Sequence, residues 1–214
     1  NLPYAKSVSL EDTIKYWQKF VKDHDKLKIN KTDLSYKIKN IYNRSILFFP
    51  LLSNSETGGI SAGFEVDEFK TKCGRYSYCW PRDAAFITEA LDIVGMEEQT
   101  EKFYSVFCKM TQNKNGMWEQ RFYTDGRLAP SWGYQIDETA SVVFGAYAHY
   151  KVTKDKKFLK DNLKMFESAI SFIQKYVDED LDLEFNHYSD SFGVEAEYYF
   201  RHELDDRVEL IIPI

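Results

Sequence analysis

The connections between predicted helices alternate in length and composition along this 214-residue chain. Six segments carry apolar residues at helical spacing. Short turns join some of them, at Gly95 and at residues 152–155, whereas long loops rich in aromatic residues and glycine join others, at residues 50–80 and 113–136. Helix pairs with short turns at one end and long loops at the other are typical of a toroid of helical hairpins. We therefore predict an all-α fold of this kind, with an irregular helical bundle as the alternative.

The predicted helices have recognisable start and stop signals. They cover residues 9–23, 32–50, 81–95, 97–112, 137–152 and 156–176. Pro50 is expected to end the second helix because proline has no N–H to continue the hydrogen-bond pattern, whereas Pro81 suits the first turn of the third. Apolar periodicity also predicts a buried face on the second and on the fourth helix. These faces comprise Leu34, Ile38, Ile41 and Phe48, and Phe103, Val106, Phe107 and Met110.

Two parts of the chain have β character. Short β-leaning runs at residues 63–66 and 75–79, separated by glycine-punctuated sequence, predict a hairpin within the first long loop. After residue 180 the pattern alternates and becomes strand-like, which predicts a short β-leaning tail. We expect residues 1–180 to form the helical domain and residues 181–214 to form a divergent or truncated tail.

Charge and hydropathy exclude two classes of partner. The formal net charge is −6, and nucleic-acid binding depends on Lys and Arg neutralising phosphates, so we expect no nucleic-acid partner. No run approaches the roughly 18 apolar residues of a membrane helix, so we expect no membrane partner. The start of the chain has no charged-then-apolar leader, which favours the cytoplasm over secretion, although a secreted protein without its leader would look the same.

The cysteines give no sign of a metal site. Cys73, Cys79 and Cys108 are an odd number of thiols, and their spacing is unlike that of metal ligands. We expect reduced thiols, with a Cys73–Cys79 bridge as the alternative. No metal and no organic cofactor is expected.

Aromatic residues are unusually frequent, at 16% of the chain. Flat rings fill cores, but they also cover the apolar faces of sugars. The densest group is Tyr78-Cys-Trp-Pro-Arg-Asp-Ala-Ala-Phe86, in which Arg82 and Asp83 fall in the first turn of a predicted helix. One interpretation is local, with Asp83 favoured by the helix dipole and Arg82 in water. The other is that the two charges hold sugar hydroxyls at the mouth of a pocket.

A second group of polar and flat residues lies at the start of the fifth predicted helix. Asp137 is an N-cap candidate there, while Trp132, Gln135 and Glu138 surround the same helix entrance. Acidic residues and a tryptophan occur at both helix starts, and the packing of a hydrophobic core does not require this combination. We therefore predict that the two loop-to-helix junctions form one rim.

Both groups resemble the paired motifs of glycoside hydrolase family 15, which includes glucoamylases, glucodextranases and some trehalases. The matching stretches are Trp80-Pro-Arg-Asp-Ala84 and Ser131-Trp-Gly-Tyr-Gln-Ile-Asp-Glu-Thr-Ala140. The resemblance, spacing included, runs from about residue 10 to residue 180. It implies an (α/α)6 barrel, here only a partial one, with the active site in the funnel at one end.

The resemblance also implies a substrate and a mechanism. Arg82 and Asp83 would hold the terminal glucose of an α-glucan or maltooligosaccharide, and Trp80 and Trp132 would shape the sugar site. Together with Gln135, Asp137 and Glu138, they are the expected substrate-binding residues. Enzymes of this family invert the anomeric centre with one carboxylic acid and one carboxylate, and they need no cofactor for the chemistry.

The catalytic pair itself is not identifiable. The family carries its general acid in a Trp-Glu-Glu motif shortly after the helix matching the sixth predicted one, and no such motif occurs here. Glu184, Asp190 and Glu195 are the nearby carboxylates, and none matches. We therefore expect weak or no activity from this chain alone, and association with another copy or a missing segment through an exposed apolar seam. The alternatives are a non-catalytic carbohydrate-binding or regulatory toroid and a purely structural scaffold.

Overall fold

The computed structural model describes residues 9–28, 33–65, 76–130, 135–178 and 183–184. The described part is mostly helical, as predicted. Its helices are α1 (Leu10–Asp23), α2 (Asp33–Leu52), α3 (Pro81–Ile93), α4 (Glu97–Lys102), α5 (Lys109–Thr111), α6 (Ile136–Thr153) and α7 (Lys156–Ile173). A π-helical segment, Phe103–Cys108, joins α4 to α5 without a break. A 3-10 turn, Gln174–Tyr176, follows α7.

Helix α1 begins as its sequence predicts, but α2 differs from expectation in two ways. Ser9 caps α1, since its Oγ accepts a hydrogen bond from the backbone N–H of Asp12 at 3.1 Å. Helix α2 continues past Pro50 to Leu52. A proline near the C-terminal end of a helix removes only one late hydrogen bond, so the last turn persists.

The buried face of α2 is not the predicted one. Ile46 is fully buried, and Tyr42, Phe49 and Leu52 pack against the same core. Ile38, Ile41 and Phe48 are exposed instead. The four consecutive apolar residues 46–49 place hydrophobic side chains around much of the helix, so periodicity alone did not identify the face that meets its neighbours.

Helices α3 and α6 pack side by side and run in the same direction. Near their N-terminal ends, Arg82 contacts Asp137, and near their C-terminal ends, Asp92 contacts His149. Between these contacts, Gly145 allows close approach, because a Cβ there would meet Ala85 Cβ at 2.9 Å and the Tyr104 hydroxyl. Short turns at the C-terminal ends of α3 and α6 lead into returning helices, so the chain forms two adjacent helical hairpins.

The turns of these hairpins agree with the sequence signals, whereas the π-helix was not expected. Gly95 follows α3 with a φ of 79°, a left-handed conformation that glycine adopts without strain. Phe103 and Phe107 are buried as predicted, but Val106 and Met110 are exposed, and Tyr104 and Cys108 are buried in their place. The buried residues 100, 103, 104, 107, 108 and 111 keep helical spacing, as the predicted set does, so periodicity allowed either face and packing against the neighbouring helices selected one.

The β elements and the cysteines are described only in part. Val177–Asp178 pairs antiparallel with Leu183–Glu184 in a two-stranded sheet. The hairpin expected at residues 63–66 and 75–79 lies partly outside the described residues, as does most of the tail, so the division of the chain at residue 180 stays a prediction. Cys79 and Cys108 are buried free thiols, whereas Cys73, the other half of the alternative Cys73–Cys79 bridge, lies outside the described residues.

Helices α1 and α2 expose several large apolar side chains. These are Leu10, Ile14 and Tyr16 on α1, and Tyr36, Ile38, Ile41, Phe48 and Leu51 on α2. Among the described helices, none has the length and hydropathy to span a bilayer.

Candidate functional site

The N-terminal ends of α3 and α6 lie against each other and carry most of the predicted site residues. Arg82 Nη1 donates a short hydrogen bond to Asp137 Oδ2. Arg82 Nη2 lies 3.4 Å from Glu138 Oε1 and 3.6 Å from Asp83 Oδ2. The two loop-to-helix junctions that the sequence placed on one rim are therefore adjacent in space.

Glu138 caps helix α3 from the neighbouring helix. The backbone N–H of Arg82 donates to Glu138 Oε2 at 2.7 Å. The first N–H groups of a helix lack partners within it, and the helix dipole favours a negative charge there. Trp80 occupies the N-cap position of α3, and its side chain makes no capping hydrogen bond. A carboxylate from α6 takes that role.

The suggestion that Asp137 caps its own helix is wrong. Gln135 occupies the N-cap position of α6, and its side chain makes no capping hydrogen bond. Asp137 lies in the first turn, where the helix dipole favours its charge, and its carboxylate binds Arg82, 55 residues away in sequence. A charged donor forms a stronger hydrogen bond to a carboxylate than a neutral N–H does, which favours the distant guanidinium over the local cap.

Three carboxyl groups surround one guanidinium at this site. Burial raises the pKa of Glu138 well above its usual range, and the charge of Arg82 opposes this only in part. Burial also raises the pKa of Asp83, again against the influence of Arg82. Burial lowers the pKa of Arg82, but the charges of Glu138 and Asp137 raise it by more, so the net shift is upward and Arg82 stays charged.

Main-chain hydrogen bonds join the two long loops at this end of the helices. Cys79 and Phe122 exchange both of their backbone N–H···O bonds at 2.8 Å. The backbone N–H of Trp118 donates to Thr139 Oγ1 on α6 at 3.1 Å. The loop before α3 and the loop before α6 are therefore held together and to the helix that carries Asp137 and Glu138.

Arg121 is a member of this site that sequence reasoning missed. Its side chain is fully buried, with its guanidinium carbon 5.0 Å from the Trp80 ring centroid and 5.4 Å from that of Tyr78. Arg121 Nε donates to the carbonyl of Pro130 at 2.5 Å. An arginine between the aromatic residues of a long loop was the available signal, because arginine stacks on aromatic faces when removed from water.

The structure assigns different degrees of access to the predicted residues. Arg82 and Asp83 keep 26% and 35% of their side chains exposed, whereas Asp137 keeps 9% and Glu138 none. Trp80 is 9% exposed, and its ring lies against the guanidinium of Arg121. Gln135 is half-buried at the start of α6, and its Oε1 meets no hydrogen-bond donor in the described part of the chain.

The remaining candidates are outside what the structure describes. Trp132 lies in residues 131–134, and Asp190 and Glu195 lie beyond residue 184, all outside the described ranges. Glu184 is described only as part of a strand. Within the described ranges, no group of three or more His, Cys, Asp and Glu side chains is arranged to hold a metal ion.

Comparison with known proteins relates this architecture to glycosidases. No family model matches the chain. An uncharacterized glycosyl hydrolase of Methanocaldococcus jannaschii is 26% identical over 162 residues, which are 76% of this chain and 25% of that protein. Solved structures of a glycosidase, as wild type and as two variants, match with a TM-score of 0.50 and 13% identity. They cover 80% of this chain and 44% of their own.

These likenesses confirm the predicted fold class. The described residues form an all-α, glycosidase-like arrangement of helical hairpins, and the irregular-bundle alternative is not needed to explain them. The chain spans a quarter of the length of the curated relative and less than half of the solved glycosidase chains. At 13% identity the structural likeness concerns the fold and not the chemistry.

Proposed function

We propose that this chain is the portion of a glycoside hydrolase that holds the terminal α-glucosyl unit of an α-glucan or maltooligosaccharide. Its motifs at Trp80–Ala84 and Ser131–Ala140 resemble those of family 15, and the related protein from Methanocaldococcus jannaschii is named a glycosyl hydrolase. In that family the bond is cleaved with inversion by two carboxyl groups. We propose hydrolysis for the whole protein that contains these residues, and sugar binding for this chain.

The observation that carries the proposal is the pairing of Arg82 with Asp83 at the start of α3. Their side chains are the most exposed charges of the cluster, and they offer N–H donors and carboxylate acceptors side by side. Sugar hydroxyls both donate and accept hydrogen bonds, so such a pair can bind one hydroxyl from each side. Asp137 and Glu138 accept hydrogen bonds from Arg82. These bonds keep Arg82 in one position beside Asp83 when no sugar is bound.

Calorimetric titration of the chain with maltose tests this proposal. We expect saturable binding, weakened at least about tenfold by Asp83→Ala, because hydrogen bonds to charged groups are worth about 1.5–3 kcal/mol. The matched control is Asp125→Ala, which removes the carboxylate of an exposed Arg127–Asp125 pair on the loop before α6. Equal affinities for both variants and the unchanged chain would reduce Arg82 and Asp83 to ordinary charges at a helix start.

A non-catalytic sugar-binding module is the second candidate. It is favoured by the contacts of Asp137 and Glu138 with Arg82 and by the full burial of Glu138, which suit a structural role better than acid–base chemistry. Glucose release from maltose, maltotriose and starch distinguishes the candidates when it is measured on the whole protein. Sugar binding without release supports the module, and release supports the hydrolase. Rapid release by the present chain alone would contradict the expectation that its catalytic pair is missing.

A further inference from the structure

We infer that Asp137 and Glu138 are positioning residues for Arg82 rather than sugar contacts, and that Arg82 Nη2 donates to a sugar hydroxyl. This inference rests on the proposed sugar site and assigns separate roles within it. Sequence reasoning had placed both acidic residues among the substrate-binding groups.

Burial separates Glu138 from any ligand. Its side chain is fully buried, so a sugar bound at the protein surface cannot contact it while the fold is intact. One oxygen, Oε2, is used by the backbone N–H of Arg82 at 2.7 Å. Glu138 therefore fixes the position of the Arg82 main chain, from which the side chain projects.

Asp137 fixes the other end of the same residue. Its Oδ2 accepts a hydrogen bond from Arg82 Nη1, and 9% of its side chain is exposed. With the main chain held by Glu138 and Nη1 held by Asp137, the flexible arginine side chain is restrained at both ends. Such restraint matters for binding, because ordering a rotamer-rich side chain opposes association.

The geometry leaves Nη2 as the less engaged donor. Its distances to Glu138 Oε1 and Asp83 Oδ2, 3.4 Å and 3.6 Å, exceed the usual 2.7–3.2 Å of an N–H···O hydrogen bond. The guanidinium is planar, so the restraint on Nη1 also sets the direction of the Nη2 hydrogens. A hydroxyl close to both Nη2 and Asp83 would accept from the first and donate to the second.

Binding measurements on Asp137→Asn test the role of Asp137. The substitution keeps the size of the side chain and removes the charge that holds Nη1. We expect the Kd for maltose to rise at least tenfold, with Asp125→Asn, in the exposed Arg127–Asp125 pair, leaving it unchanged. A variant that lowers the unfolding midpoint but binds maltose with unchanged Kd would show that Asp137 is merely structural.

NMR of the guanidinium keeps the inference testable even if no sugar binds. With Arg82 signals assigned by their loss in Arg82→Lys, restrained rotation should give separate Nη signals in the unchanged chain. Asp137→Asn should average them, and Glu138→Gln should shift the Arg82 backbone N–H resonance. Identical Arg82 signals in all three proteins would overturn the positioning role. Absence of maltose binding by the unchanged chain, with these NMR changes present, would instead refute the sugar site.

Discussion

His149 Nδ1 lies 2.9 Å from Asp92 Oδ2, and both side chains are buried between helices α3 and α6. A carboxylate accepts hydrogen bonds and does not donate them, so Nδ1 carries the hydrogen of this contact. The Arg82 cluster connects the same two helices at their N-terminal ends. Polar contacts at both ends and close packing at Gly145 between them fix how far one helix can slide along the other, and therefore how the site charges align.

The Asp92–His149 pair is expected to contribute substantially to stability. Asp92→Ala leaves the buried imidazole without its acceptor, and we expect the free energy of unfolding to fall by about 1.5–3 kcal/mol. Urea denaturation followed by circular dichroism measures this change. The matched control is Asp161→Ala, which breaks an exposed pair with Lys157 and should lower the free energy of unfolding far less. If both variants lose similar amounts of unfolding free energy, burial does not make the Asp92–His149 contact stronger than an exposed pair.

Stability should depend on pH through Glu138. Its pKa is raised in the folded state by burial, in spite of Arg82 and with help from the nearby charges of Asp137 and Asp83. The folded state therefore holds the carboxyl proton of Glu138 more tightly than the unfolded chain, in which the pKa of a glutamate is about 4.3. The stabilisation is complete below that pH and is lost as the pH rises through the raised value.

Glu138→Gln removes this dependence, so the free energy of unfolding of the unchanged chain should fall more steeply above about pH 4.3 than that of the variant. Urea denaturation of both proteins across a pH series gives the two slopes. The matched control is Glu167→Gln, at an exposed position on α7, which should retain the slope of the unchanged chain. Parallel curves for Glu138→Gln and the unchanged chain would mean that Glu138 titrates as it does in the unfolded state.

Replacing Gly145 with alanine should destabilise the fold, although helix propensity alone predicts a gain of up to about 1 kcal/mol. The added methyl would meet Ala85 and the Tyr104 hydroxyl, and overpacking of this kind costs about 1–3 kcal/mol. Thermal unfolding of Gly145→Ala measures the balance. Gly63→Ala is the control, because a Cβ there makes ordinary contacts of 3.4 Å or more. A higher midpoint for Gly145→Ala would show that α3 and α6 are more loosely packed than described.

Self-association of this chain stays a prediction. Ile41 and Phe48 of α2 are 66% and 45% exposed, on the face that periodicity had assigned to the core. We expect sedimentation velocity to show dimers or larger species at micromolar concentration. Replacing both residues with serine should shift the distribution to monomer while changing the free energy of unfolding little, because exposed positions contribute weakly to it. A monomeric unchanged chain that binds no hydrophobic dye would contradict the prediction.

The sequence identified the helices because their signals are local. Ser9 as a cap, Pro81 in a first turn and Gly95 after a helix each act within one turn of the backbone, so they predict boundaries without knowledge of neighbours. The two motif-bearing junctions were identified in the same way. The side of α2 that is buried was not, since its apolar residues surround the helix and only the packing of other elements selects a face.

The local chain also determined that acidic residues stand at the starts of α3 and α6, where the helix dipole favours them. Only the tertiary structure decided what each of them does. In the folded chain, Glu138 caps another helix, Asp137 binds Arg82, and Arg121 is buried against Trp80. These contacts join residues 41 to 56 positions apart, and an interaction between charges depends on distance and burial, which a linear pattern of residue types does not contain.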